Sequence, residues 1–331
     1  MTKFVLDAHF DVLLDVLHYR QKGERKVLER LHLPALKKAG VNAVICSLFI
    51  MDDILPEGAL RNALDQISAL QEELSESGEY IALCRTVKEA DAAAASGKIA
   101  LFLSLEGAEP IGSDLFLLRT FYDLGVRFLG ITWSRRNYAA DGCAFSSENA
   151  PRIEGGLTKF GRELVEKACE LGMVIDVSHL NDPGFFEVAE MVKKPFIASH
   201  SNCRSLCSSP RNLTDAQIIK LAQSGGVMGM NSYSAFSADI RPHRTAEKLL
   251  EHIDHIIELA GADHVGLGMD LCDVLASLRI ADPQTQHGDL FKDHAEAEEK
   301  FLRLIKERYP KRTADKILGG NFIRVIKEVI G

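Results

Sequence analysis

Short apolar segments that end in histidine or an acidic residue recur along this chain, and they constrain its fold more than any other feature. The first is Phe4 to Asp11 (FVLDAHFD), in which His9 and Asp11 are two residues apart. Alternate side chains of a strand point to the same face, so a strand here would project both groups together. Four more segments have the same form: Leu101 to Glu106, Val174 to His179, Phe196 to His200 and Val265 to Asp270. This repetition predicts a shared site at the strand ends.

The segments between these strands have the spacing of helices. Thr158 to Leu171 is amphipathic, with Thr158 placed to cap its start and Gly172 placed to end it. Eight predicted strands alternate with helices, Tyr80 to Cys84 is a short extra strand, and no low-complexity segment divides the chain. We therefore predict an α/β fold, a single (β/α)8 TIM barrel over residues 1–331 that ends in C-terminal helices. A doubly wound open sheet is the alternative, but it usually has fewer strands and a glycine-rich first turn.

Composition excludes several classes of function. The chain has 331 residues, of which 46% are hydrophobic and 26% charged, which is typical of a globular protein. No apolar run is long enough to span a bilayer, and no signal segment precedes the first strand. A formal charge of −8 argues against nucleic-acid binding. Seven scattered cysteines without a CxxC pair suit reduced thiols, so we expect a cytoplasmic protein that acts on small molecules.

The strand ends carry residues that suit a metal centre. In a barrel of this type, functional residues lie at the C-terminal ends of the strands. The residues at these ends are His9, Asp11, Glu106, His179, His200 and Asp270. Three histidines with carboxylates favour Zn²⁺ or a similar ion. One bridging carboxylate would allow a binuclear centre that holds a hydroxide for metal-assisted hydrolysis. The residues by themselves permit one metal or two.

Five longer motifs contain these residues in order: DAHFD, LSLEGAEPIG, GLTKFGRELVEKACELGMVIDVSHLND, ASHSNCRSLCSSPRNLTD and VGLGMD. Together they resemble the membrane (renal) dipeptidase family of the amidohydrolase superfamily, including its soluble bacterial members. The resemblance covers nearly the whole chain. It implies a zinc-dependent dipeptidase with two Zn²⁺ ions in a (β/α)8 barrel, a small dipeptide as substrate, and a homodimer.

The resemblance also implies roles for single residues. His9, Asp11 and Glu106 match the ligands of the first ion, and Glu106, His179 and His200 match those of the second, with Glu106 as the bridge. Asp270 matches the aspartate that carries a proton from the attacking water to the leaving amine. Arg211, in SSPRN, matches the arginine that binds the C-terminal carboxylate of the substrate. A planar guanidinium suits that task because it binds a carboxylate with two hydrogen bonds.

Two positions depart from the family pattern. Better-known members have histidine after Thr132, where it contacts the scissile carbonyl or the oxyanion, and this chain has Trp133. An indole donates one hydrogen bond but carries no positive charge, so oxyanion stabilisation would depend on the metal or on Asn137 or Arg135. The usual Asp-Phe-Asp-Gly at strand eight is here Asp270-Leu-Cys-Asp273, which shifts the second aspartate by one position.

Dipeptide hydrolysis, including that of dipeptides with a D-residue at the C-terminal side, is the favoured function. The alternatives are another amidohydrolase-type reaction, such as deacylation or phosphoester hydrolysis, and a homologue that binds without turnover. The complete ligand set and Asp270 argue against the last. His264 is predicted at the wrong end of the barrel for catalysis. His243, His252 and His255 are predicted on an exposed helix and the loop before it, with no role.

Overall fold

The strands form one closed parallel sheet. The computed structural model describes residues 3–145, 155–271 and 288–331. Its strands are β1 (Leu6–Phe10), β2 (Ala43–Phe49), β3 (Ile81–Leu83), β4 (Ile99–Glu106), β5 (Val126–Gly130), β6 (Val174–Asp176), β7 (Ile197–Ala198), β8 (Val227–Met230) and β9 (Val265–Leu267). Strand β1 pairs with both β2 and β9, β2 pairs with β4, and parallel pairings continue from β4 in sequence to β9. The ring therefore has eight strands, and the predicted (β/α)8 barrel is confirmed.

Strand β3 lies outside this ring. Strand β2 pairs with almost the whole of β4, from Ala43 opposite Ala100 to Phe49 opposite Glu106. Strand β3 pairs only with the beginning of β4, and β5 replaces it beside the second half of that strand. The short extra strand predicted from the sequence is therefore not one of the eight strands of the barrel.

Helices cover the outside of the barrel. They are α1 (Val12–Gln21), α2 (Leu33–Ala39), α3 (Ala59–Ser77), α4 (Val87–Ala95), α5 (Leu115–Asp123), α6 (Lys159–Leu171), α7 (Asp182–Met191), α8 (Asp215–Gln223), α9 (Ala246–Ala260), α10 (His294–Ala297), α11 (Arg303–Arg308), α12 (Lys311–Asp315) and α13 (Asn321–Val329). Helix α6 begins at the predicted cap, since Thr158 accepts a hydrogen bond from the Gly161 N–H, and it ends at Gly172 in the left-handed conformation.

Two apolar layers hold these elements together. One lies between the strands and the surrounding helices. The other fills the barrel with inward-facing side chains such as Phe102 and Phe128, and it continues into α13 through Phe322. Gly266 of β9 makes this possible, because a Cβ atom there would lie 2.5 Å from the Phe322 ring. Helix α13 therefore packs against the N-terminal end of the barrel, and the opposite end is left for the site.

Candidate active site

Four strand ends bring the five predicted metal ligands together at the C-terminal end of the barrel. His9 belongs to β1, Asp11 follows it, Glu106 is the last residue of β4, and His179 and His200 follow β6 and β7. Each is at most 5% exposed. Their ligand atoms form two overlapping groups, each within 4.8 Å: His9, Asp11 and Glu106, and Glu106, His179 and His200. Glu106 is common to both.

The two carboxylate oxygens of Glu106 face different histidines. Its Oε2 lies 3.3 Å from Nε2 of His9, and its Oε1 lies 3.1 Å from Nε2 of His179 and 3.7 Å from Nε2 of His200. A carboxylate placed in this way has one oxygen for each of two neighbouring cations. The arrangement suits a bridging ligand.

Unpaired polar atoms show that the residues fit a metal. Both ring nitrogens of His9 and Oε2 of Glu106 are buried and have no hydrogen-bond partner in the part of the chain that the structure describes. Buried polar atoms normally have partners, and a cation bound between these groups would provide one. The donor set of imidazole nitrogens and carboxylate oxygens is that of zinc sites.

Burial and mutual interactions shift the pKa values of these groups. Burial, together with the positive charges of His9 and Arg211, lowers the pKa of His200 well below its usual value. The neutral imidazole that results is the form that binds a metal. Burial and the charge of Asp11 raise the pKa of Glu106 to about 8. Burial alone would lower the pKa of His9, but Glu106 and Asp11 outweigh it and raise that pKa well above its usual value.

Side chains behind the histidines fix their rings, and sequence reasoning missed them. The Oγ of Ser199 lies 2.7 Å from Nδ1 of His200 and donates to a carboxylate oxygen of Asp176. The Oγ of Ser134 lies 2.8 Å from Nδ1 of His179. Such contacts at the second ring nitrogen orient each ring and direct its Nε2 toward Glu106, and the two Nε2 atoms lie 2.9 Å apart. Ser199 and Asp176 lie in the same sequence motifs as the histidines, and this proximity could have indicated their role.

Asp270 follows β9 and lies beside the predicted metal ligands. Its Oδ1 is 3.8 Å from Nε2 of His9, and it forms a third possible ligand group with His9 and His200. Asp270 and His179 both have positive φ angles, of 60° and 65°. Such backbone conformations cost energy in residues other than glycine, and they are concentrated at functional sites. Asp273 lies outside the described residues.

Arg211 lies behind the ligand histidines and is only 2% exposed. Its guanidinium donates to the Ser201 hydroxyl and to the His200 carbonyl, both at 2.8 Å, and its Nε lies 3.1 Å from Nδ1 of His179. The structure thus brings Arg211 to the site but occupies its donors with protein atoms. Asp215, four residues further along the chain, pairs with His255 and not with Arg211.

The family model of the membrane dipeptidases, peptidase family M19, matches residues 1–330. The chain belongs to this family. The resemblance inferred from the five motifs is confirmed.

One solved structure and two curated proteins show how similar this chain is to known proteins. A Rhodobacter sphaeroides metallopeptidase, liganded with a phosphinate mimic of the dipeptide L-Ala-D-Ala, is 28% identical, with a TM-score of 0.85 over 99% of this chain and 100% of that one. Dipeptidase tcpJ of Claviceps purpurea is 25% identical over 98% of this chain and 74% of its own length. A Klebsiella pneumoniae protein from the pqqA 5' region is 32% identical over 80% of this chain and 94% of its own.

This M19 family member is a metal-dependent dipeptidase, as predicted. The residue groups described above could hold a metal ion. Among the residues that the structure describes, no helix combines the length and the apolar character needed to cross a membrane.

The structure separates the predicted substrate contacts of this dipeptidase. Trp133 lines the cavity above the ligands, and its ring centroid lies 5.6 Å from that of His179. Asn137 does not reach the cavity, because its amide donates to the Ile131 carbonyl and accepts from the N–H groups of Ala139 and Ala140. Asn137 therefore shapes the loop after β5, and the structure gives no support to the predicted substrate contact.

The cavity of the M19 site has a polar floor and an aromatic wall. Its volume is about 430 Å³. Asp11, Glu106, His179 and Asp270 contribute to the floor, and the wall contains Phe49, Met51, Trp133, Phe145, Tyr233 and Phe236, with Asp52 and Asp53 at the rim. A mostly apolar pocket with a few convergent polar groups is typical of an enzyme's small-molecule site.

The remaining histidines differ from the sequence prediction at one position. His252 was predicted on an exposed surface, but it is fully buried, and its Nδ1 accepts a hydrogen bond from the Cys203 N–H. This correction follows from the helix geometry of α9, which turns His252 to the same side as the apolar Leu249 and Ile256. His264 precedes β9, at the end of the barrel opposite the site, and its Nδ1 lies 2.8 Å from the Gly226 carbonyl oxygen.

Proposed function

We propose that this enzyme hydrolyses dipeptides with two Zn²⁺ ions bound at the C-terminal end of the barrel. His9, Asp11 and Glu106 would hold one ion, and Glu106, His179 and His200 would hold the other. The position of Glu106 carries this proposal, because each of its oxygens faces a different histidine group. A single ion would leave one of the two groups without a function.

The chemistry divides between the metal and the protein. Two zinc ions would polarise the scissile carbonyl and lower the pKa of a water to near neutrality, so that hydroxide is available as the nucleophile. Asp270 would accept the proton of the attacking water at a carboxylate oxygen and deliver it to the nitrogen of the leaving amine. The position of Asp270 supports this role. Its Oδ1 lies 3.8 Å from Nε2 of His9, and its side chain is 20% exposed, so a substrate can reach it.

Arg211 would bind the substrate carboxylate. Its contact with His179 explains why its guanidinium is turned toward the protein. A neutral His179 ring that binds zinc through Nε2 carries its proton on Nδ1, which then donates to the Ser134 hydroxyl. The Nε–H of Arg211, now 3.1 Å from that nitrogen, would lose its acceptor. It would then be available for a carboxylate, so metal and substrate binding would support each other.

Two further features of the substrate follow from the neighbours and from the wall of the cavity. The related Rhodobacter sphaeroides metallopeptidase holds a mimic of L-Ala-D-Ala. On this basis we propose that this enzyme also hydrolyses dipeptides with a D-residue at the C-terminal side. Trp133 would contact the substrate, since it lines the cavity and its indole N–H has no hydrogen-bond acceptor among the described residues.

A dipeptide panel tests the proposal. Purified protein is assayed against L-L and L-D dipeptides after metal removal and again after addition of zinc. We expect turnover only with metal, and turnover of both stereochemical series. N-acetyl amino acids and a chromogenic phosphodiester test the other amidohydrolase reactions on the same preparations. Hydrolysis of either compound without hydrolysis of any dipeptide would overturn the proposal.

A further inference from the structure

Five aromatic rings that contact one another in series line the cavity, and we call them the aromatic band. Its members are Phe49, Trp133, Phe145, Phe236 and Tyr233. Centroids of successive rings in this order lie 5.3, 5.2, 5.9 and 4.8 Å apart. Phe49 ends β2, and the other four residues lie in the segments that follow β5 and β8. The fold therefore builds one apolar surface from segments that are far apart in the sequence.

Arg135 fixes part of this band. The Cζ atom of its guanidinium lies 4.9 Å from the Trp133 ring centroid and 5.6 Å from that of Phe49. Ion pairs with Glu109, at 2.7 Å, and with Asp52, at 2.8 Å, hold the guanidinium in place. Rings that are positioned before a ligand arrives lose little freedom when it binds. The band is thus a prepared surface for an apolar group.

The charges around the cavity indicate which side chain would meet this surface. The carboxylates of Asp11, Glu106 and Asp270 are at the floor, where the backbone of the substrate would react. At the rim, Asp52 is paired with Arg135, and Asp53 is exposed. A substrate side chain directed toward the mouth therefore contacts rings, and an acidic side chain would also meet the carboxylate of Asp53.

We propose that this enzyme selects dipeptides in which one residue has an aromatic or large aliphatic side chain, which packs against the aromatic band. This inference rests on the proposed dipeptidase function and adds the class of substrate. Aromatic side chains gain most because their rings pack edge to face or offset against the rings of the band, in addition to leaving water.

A second dipeptide panel measures this selectivity. The value of kcat/KM is compared for Ala-Ala, Phe-Ala, Ala-Phe, Leu-Ala and Ala-Leu, with Lys and Asp dipeptides of the same design. The best aromatic or aliphatic dipeptide should exceed Ala-Ala by roughly 10- to 100-fold, which is the range for filling an apolar pocket. The inference is overturned if Ala-Ala is an equally good substrate. It is also overturned if a Lys dipeptide is the best substrate, because the charge of Asp53 would then determine the selectivity.

Variants connect this preference to the band. Phe145 is 40% exposed, so Phe145→Ala should fold, and it should lower the ratio of Phe-dipeptide to Ala-Ala turnover by about fivefold or more. The control is Phe116→Ala, which removes a ring that is 86% exposed on α5, away from the cavity, and should leave that ratio unchanged. An unchanged ratio in Phe145→Ala would overturn the inference. Absence of all dipeptide hydrolysis would instead contradict the proposed function.

Discussion

The side-chain amide of Asn231 donates a hydrogen bond of 2.9 Å to Oδ2 of Asp270. Asn231 is fully buried directly after β8, and its own oxygen accepts the Tyr233 N–H at 2.6 Å. Its backbone N–H donates to the side chain of Asn202. These contacts fix the orientation of the amide. Oδ2 of Asp270 therefore accepts a hydrogen bond from Asn231, while Oδ1 faces Nε2 of His9, 3.8 Å away.

We predict that Asn231 is a positioning residue for Asp270. Asn231→Asp keeps the acceptor for the Tyr233 N–H but replaces the donor with a second carboxylate, which would repel Asp270. The value of kcat should fall roughly 10- to 100-fold, as for other residues that orient reacting groups, while zinc content and KM change little.

The exchanged pair Asn231→Asp with Asp270→Asn distinguishes positioning from a purely structural role. It restores a hydrogen bond with the donor and the acceptor reversed, so the melting temperature should recover toward wild type. The value of kcat should stay low because the carboxylate is no longer beside His9. Recovery of kcat in the pair, or a kcat near wild type in Asn231→Asp, would contradict the prediction.

Asp270→Asn tests the proton transfer itself. Asparagine tolerates the positive φ angle of this position, so the fold should be retained. Positioned acid or base groups contribute about 10²- to 10⁴-fold, and kcat should fall by that order with metal content and KM near wild type. Asp53→Asn is the matched control, since it changes an exposed carboxylate at the rim of the same cavity. A larger loss in Asp53→Asn than in Asp270→Asn would refute the assignment.

Glu106→Ala tests the shared ligand. Elemental analysis of the wild-type protein, purified without chelator and dialysed against zinc, should approach two ions per chain. Glu106→Ala should lose occupancy at both positions because it removes the residue common to both groups. Glu109→Gln changes a nearby carboxylate that binds Arg135, and it should retain both ions. Folded wild-type protein that takes up no zinc would exclude the binuclear centre.

The barrel and the clustering of His9, Asp11, Glu106, His179 and His200 were predictable because their sequence signals are local. A buried parallel strand is an apolar run, and a ligand at its end adjoins that run in the sequence, as His200 adjoins Phe196 to Ser199. The cap of α6 at Thr158 was equally local. A closed barrel then brings the strand ends together without further information.

The contacts behind the ligands were not predictable in the same way. Asn231 and Ser134 meet Asp270 and His179 only because the loops after different strands meet at the mouth of the barrel. The polar character of Asn137 suggested a substrate contact, but its amide is used within its own loop. Side-chain directions in loops depend on backbone turns that no residue pattern specified here.

Arg211 should make the enzyme specific for a free C-terminal carboxylate. Arg211→Met keeps much of the side chain's length but removes the charge, and KM for free dipeptides should rise by the equivalent of roughly 2 to 5 kcal/mol. A C-terminal amide provides the control because it removes the same interaction from the substrate. Amidation should impair the wild-type enzyme much more than Arg211→Met. Equal impairment of both enzymes would show that Arg211 serves only the histidines it contacts.

An ion pair far from the site should control stability in acid. Glu76 of α3 accepts hydrogen bonds from Arg20 of α1, at 3.1 Å, and from Nε of Arg25, at 2.8 Å, and its side chain is 9% exposed. Arg20, opposed in part by burial and assisted by Arg25, lowers the pKa of Glu76 to about 2. A carboxyl group with a lowered pKa stabilises the folded state fully above its unfolded pKa, and that contribution disappears as pH falls toward the folded value.

The expected pH window is therefore between about 4.5 and 2. Glu76→Gln should lower the free energy of unfolding at pH 7 by about 1 to 2 kcal/mol, because partly exposed pairs contribute less than their pKa shift implies. The difference from wild type should shrink by about half near pH 3.

Urea denaturation of both metal-free proteins at each pH measures this difference, since contributions shared by the two proteins cancel. Glu72→Gln, one turn earlier and 65% exposed, should show little effect at either pH. A Glu76→Gln difference that stays constant down to pH 3 would mean that packing, and not the charge of Glu76, stabilises the contact between α1 and α3.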